Sequence, residues 1–158
     1  MADLAEVPGR RQTMYKHILI PTDGSALSEV AVRQGVALAQ SLGASTTAIT
    51  VTPTFHTFAV EPMALTDTVE QYEKDCKALA ARYLGSVRDA AMAAGVPYTG
   101  LHVVHDSPYE AIIEAATKNH CDLIVMASHG RKGVAALVLG SETTKVLTHS
   151  KIPVLVCR

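Results

Sequence analysis

Two stretches of this chain gather residue types that can recognise an anion. The first is Pro21-Thr22-Asp23-Gly24-Ser25. The second runs Ala127-Ser128-His129-Gly130-Arg131-Lys132-Gly133 and is followed by Gly140-Ser141. The second suits a polyphosphate. Glycine lets backbone N–H groups approach a ligand with no β-carbon in the way. A helix amino end adds unsatisfied donors and partial positive charge. Ser141 can cap such a helix or offer its hydroxyl to a phosphate oxygen, and Arg131 and Lys132 supply charge. Asp23 differs in kind: its carboxylate only accepts hydrogen bonds and would be badly placed beside phosphates. Taken alone, the same residues also make tight turns and helix caps, with Asp23 as a cap for the first helix.

Other chemistries fit less well. His102 and His105 stand three apart on an expected strand, so they face opposite sides and cannot share a metal. Ser128 and His129 are adjacent, which is not the spacing of an activated nucleophile. Cys76, Cys121 and Cys157 are far apart with no paired spacing, which argues against zinc or a disulfide. Asp23 and Asp106 could be the acidic pair of a phosphoacceptor receiver. Such a domain also needs a lysine after its last strand, and this chain ends in Arg158. No catalytic residue is assigned.

The elements that must position the two stretches follow from hydrophobic patterning. With 158 residues, 48% apolar and 18% charged, the chain is long and apolar enough for one domain with its own core. Runs apolar on both faces, His17 to Ile20, Leu123 to Met126 and Val154 to Val156, read as strands of a parallel sheet covered on each side. Two less uniform strands fit Ser45 to Thr52 and Tyr98 to His105. Leu27, Val30, Ala31, Leu38 and Leu42 share one helical face, as do Val69, Tyr72, Cys76, Leu79, Tyr83, Val87 and Ala94. Ser107-Pro108-Tyr109-Glu110 reads as a capping box, and Asp67 with Glu70 repeats the pattern. Gly43 and Gly95 close the first two helices. The expectation is a single-domain α/β fold, a doubly wound five-stranded parallel sheet with helices on both faces. In such sheets ligands bind beyond the carboxyl ends of the strands.

Residues 1–13 read as a polar leader without a signal-peptide core, and 14–158 as the folded domain. The connection from Pro53 to Leu65, with Phe55, His56 and Phe58, reads either as a lid or as a surface excursion. A net charge of −1 gives no long-range attraction for nucleic acid or anionic lipid. No apolar run approaches the roughly 20 residues that span a bilayer. A cytoplasmic location is expected.

Taken whole, the pattern closely resembles the universal stress protein family from about Tyr15 to Arg158. The resemblance rests on Ile20 to Ser25, Asp122 to Met126, Ser128 to Arg131, Leu139 to Ser141 and Pro153 to Val156. The family's nucleotide signature is glycine, two residues, glycine, nine residues, then glycine with serine or threonine. Gly130, the nine residues Arg131 to Leu139, and Gly140-Ser141 match it in register. Ala127 stands where the first glycine belongs. If its φ is negative, alanine fits and binding survives; if positive, binding weakens.

The resemblance implies strand order 3-2-1-4-5 and an ATP site, with Mg²⁺ entering through the phosphates. Pro21, Thr22, Asp23 and Val51 would surround the nucleoside, and Gly130, Gly140 and Ser141 would hold the phosphates. Met126, Ser128, His129, Arg131, Gly133 and Glu142 complete the candidate set. A homodimer through the last strand, Val154 to Cys157, is expected from its apolar edge and from the family. Pro153 fits the start of an edge strand. Three functions stay open: a nucleotide-responsive regulatory module, an interaction protein of the same fold without nucleotide, and a slow ATPase. The ATPase lacks a convincing base beyond His129 and any Walker-type lysine.

Overall fold

The computed structural model describes residues 14–55, 65–130 and 139–158. Nine elements alternate along it: β1 (His17–Pro21), α1 (Ala26–Leu42), β2 (Ser45–Thr52), α2 (Leu65–Ala93), β3 (Tyr98–Val104), α3 (Pro108–Lys118), β4 (Leu123–Ala127), α4 (Ser141–His149) and β5 (Val154–Cys157). The strands form one parallel sheet in the order β3-β2-β1-β4-β5. The leader, residues 56–64 of the long connection, and Arg131, Lys132 and Gly133 lie outside the described residues.

Alternation along the strands divides the core into two layers. Ile18, Ile20, Ala48, Leu123, Val125 and Ala127 pack under α1 and α2. Leu19, Ile49, Ile124 and Met126 face the other way, onto Ile112, Ala115 and Ala116 of α3 and Val146 of α4. Each fully buried aliphatic side chain contributes about 1.5–3 kcal/mol relative to exposure. That explains the runs without polar alternation: the central strands have no solvent face. Gly35 lets α1 lie close on β1, because a β-carbon there would come within 2.9 Å of Ile20 Cδ1.

The helix ends confirm some expectations and correct others. Gly43 and Gly95 adopt φ of 65° and 68° after their helices, as read from the sequence. Ser25, not Asp23, caps α1, its hydroxyl accepting from Ser28 N at 3.2 Å. Helix α2 begins at Leu65, so Asp67 lies within it and not ahead of it. The capping box at α3 does not form. Ser107 is the N-cap residue but its side chain makes no cap bond. The Glu142 carboxylate instead accepts Tyr109 N at 2.9 Å, and Glu110 takes the Tyr109 hydroxyl at 2.9 Å.

Asp122 secures the register of the two central strands. Its carboxylate accepts the amides of Lys16 (2.9 and 3.1 Å) and His17 (3.0 Å), while its own amide donates to His17 O at 2.9 Å. Those bonds fix the start of β1 against β4. They therefore also fix how far each strand projects at the opposite end, where the candidate residues lie.

Candidate nucleotide site

Strands β1 and β4 are neighbours from which the chain departs in opposite directions, to β2 on one side and β5 on the other. The crevice beyond their carboxyl ends is the usual ligand position in an open parallel sheet. Pro21 closes β1. Thr22 is buried, its amide donating to Ile49 O at 2.9 Å and its hydroxyl 3.2 Å from Ser28 Oγ. Asp23 follows with Oδ1 accepting Ser25 N at 3.0 Å. That short turn aims the carboxylate across the crevice, where Oδ2 lies against Gly130.

On the β4 side, Ser128 N donates to Cys157 O at 2.8 Å, which carries the sheet ladder one residue past the strand. Ser128 is buried, and its Oγ sits 3.2 Å from His129 Nδ1. The pair is therefore in hydrogen-bond range despite its adjacency in sequence. The chain then returns: Gly140 N donates to Ser128 O at 2.8 Å, and the Thr143 hydroxyl donates to Ala127 O at 2.9 Å. These two bonds hold the amino end of α4 against the end of β4. Gly140 is the N-cap residue, with φ −61° and no side-chain cap bond. Ser141 is the exposed first residue of the helix.

Ala127 is the last residue of β4, paired with Cys157. Among described residues other than glycine only His120 has a positive φ, so the backbone of Ala127 suits alanine. Its methyl belongs to the core layer under α1 and α2. It does not face the crevice.

The structure brings Pro21, Thr22, Asp23, Ser128, His129, Gly130, Gly140 and Ser141 to one end of the sheet. It places others differently. Met126 is buried in the layer beneath α3 and α4, so its main chain alone could meet a ligand. Val51 packs at the margin of the same layer, paired with Val103. Glu142 points at α3. Sequence reasoning missed Thr143 and Asp122 as positioning residues. A threonine in the first turn of α4, close after Gly140-Ser141, was the available signal for the former.

The histidines and acids away from the crevice have separate partners. His102 Nε2 lies 2.8 Å from Thr52 Oγ1, and His105 Nδ1 accepts Ser107 N at 2.9 Å. Burial, reinforced by the Lys77 charge, holds the His102 imidazole below its ordinary pKa. Asp106, at the end of β3, accepts from the amide and hydroxyl of Thr54, and β2 lies between β3 and β1. Among the described residues no group of three or more His, Cys, Asp or Glu converges on a metal position. No described helix is long and apolar enough to cross a membrane.

The alternating elements and the strand order define a doubly wound α/β protein. The family model for the universal stress protein family matches residues 14–158, and the chain belongs to that family. It is 34% identical over 149 residues to a universal stress protein of Thermus aquaticus, covering 92% of this chain and 100% of the relative. The solved structure of protein MJ0577 of Methanocaldococcus jannaschii superposes with a TM-score of 0.78 at 26% identity, covering 91% of this chain and 96% of that one. A universal stress protein solved in complex with cAMP superposes with a TM-score of 0.61 at 26% identity, over 90% of this chain and 95% of that one.

Proposed function

We propose that this universal stress protein binds an adenine nucleotide, ATP foremost, at the crevice between β1 and β4, and acts as a nucleotide-responsive regulatory module. The observation that carries the reading is the amino end of α4. Gly140 starts the helix without a side-chain cap, and its own amide is turned back to Ser128 O. The next amides of the first turn have no partner within the helix, and such a helix start suits an anion. Asp23, across the crevice, supplies an acceptor for the nucleoside. Pro21, Thr22, Val51 and the main chain of Met126 flank it, and Gly130, Gly140 and Ser141 take the phosphates with Ser128 and His129 beside them. Arg131 and Gly133 belong to the same proposal through the signature. Mg²⁺ would enter on the phosphates. The relative solved with cAMP supports an adenine ligand for this fold.

The module is not an enzyme in this reading. Nucleotide occupancy changes its behaviour only if two states of the protein bind the nucleotide unequally. The surface for that readout is the outer edge of β5, where Leu155 is 43% exposed and the strand pairs with β4 alone among the described strands. A twofold dimer joining two such edges in the cytoplasm completes the proposal.

Calorimetric titration of nucleotide-stripped protein with Mg·ATP tests it, with Ala127→Gly measured alongside. Saturable binding of similar strength in both is expected, because the Ala127 methyl lies in the core layer and its φ is not positive. Absence of heat in both would remove the nucleotide from the function and leave the β5 edge as the working surface.

A further inference from the structure

Glu142 is the second residue of α4, inside the first turn of the helix whose amino end faces the crevice. Its carboxylate is not loose. Oε2 accepts the Tyr109 amide at 2.9 Å, at the amino end of α3, and Oε1 pairs with Lys145 Nζ at 3.0 Å. Lys145 in turn lies over the Tyr109 ring at 5.4 Å, and His149 packs on that ring with centroids 5.3 Å apart. Two helix amino ends thus converge on one pinned negative charge. Lys145 stands three residues further along α4, so Glu142 is the member of the pair nearer the amino end of the helix.

Resting on the nucleotide reading above, we propose that Glu142 is a specificity-determining residue that sets how much the site gains from phosphate charge. A carboxylate in the first turn already occupies part of the positive potential of that turn. Each further phosphate placed there meets a fixed like charge, because the latch to Tyr109 stops the carboxylate from swinging away. The penalty falls mainly on a triphosphate and least on a ligand carrying a single phosphate charge. The role is one of discrimination, and Glu142 need not touch the ligand.

The test is a titration series with cAMP, AMP and ATP against wild type, Glu142→Gln and Lys145→Gln, at low ionic strength and in high salt. Glutamine keeps a carbonyl to accept Tyr109 N while removing the charge. Glu142→Gln should raise the ATP-to-AMP affinity ratio by about two- to five-fold, the range of a single charge at a helix end. Lys145→Gln should lower that ratio. Both shifts should shrink in high salt, where exposed charges are screened. A uniform change for all three ligands, or none, would overturn the charge role while leaving the nucleotide site in place. Failure of all three ligands to bind any variant would overturn the site and this role together.

Discussion

Asp23 and Gly130, on the loops that follow β1 and β4, are packed against each other so closely that a β-carbon on Gly130 would overlap the Asp23 carboxylate at Oδ2. Gly130 is not among the residues of positive φ, so it is glycine for space and not for backbone freedom. Gly140 tells the same story: its φ is −61°, yet a β-carbon there would come within 2.9 Å of His129 Cα. The two glycines let the Asp23 side chain, the end of β4 and the start of α4 meet closely.

Gly130→Ala should therefore displace the Asp23 carboxylate without unfolding the protein, because residue 130 is itself exposed. If Asp23 accepts a hydrogen bond from the nucleoside, affinity for ATP should fall about ten- to hundredfold, the worth of one bond to a charged group. The melting temperature should stay close to that of wild type. Calorimetry and a thermal melt on the same sample separate the two effects. Unchanged affinity would mean that Asp23 does not hold the nucleotide.

On the other side of Asp23, Gly24 does need its backbone freedom. It has φ of +71°, and a β-carbon on it would overlap the ring of Tyr83, which reaches down from α2. Gly24→Ala meets both penalties, left-handed strain and overpacking, and should cost about 2–4 kcal/mol in chemical denaturation. Removing the ring should relieve only the second. In Tyr83→Ala the added cost of Gly24→Ala should fall to about 1–2 kcal/mol. Equal costs in the two backgrounds would show that the ring contact is not what excludes a side chain.

Much of this fold was legible because its central strands are buried on both faces, whereas the edge strand β5 proved half-exposed despite its apolar run. The run from His17 to Ile20 reads as a buried strand and is one, and Ser45–Thr52 matches the sequence reading at both ends. The doubly wound order came from the family resemblance and is the order found. Helix starts were less legible, because their donors can be satisfied from far along the chain. Ser107 has the spacing of a cap, yet the α3 amide is taken by Glu142, 33 residues away. His120, at φ 54°, terminates α3 with no glycine to announce it. The site was legible as a set of loops at one end of the sheet. What spacing could not convey was direction: the Ala127 methyl and the Met126 side chain are turned into the core, and Glu142 toward α3.

The cysteines give a prediction with a pH sign. Cys121 is buried, and its thiol is pushed up to about 11 by burial first, then by the Asp122 charge. Burial also raises Cys157, while Cys76 is only half-buried. The thiolate is the reactive form, so a thiol reagent at pH 8 should label Cys76 in the folded protein and the other two only on unfolding. For stability the sign follows from proton counting. Above an unfolded pKa near 9 the unfolded chain has released the Cys121 proton while the folded chain still holds it, so unfolding gains as pH rises. Stability should be constant below pH 9 on this account and fall between about 9 and 11. Cys121→Ala, which cannot ionise, should flatten that fall in urea melts run across the window. An unaltered slope would place the alkaline sensitivity elsewhere, with Tyr72, held up to about 12 chiefly by burial, as the next group to replace.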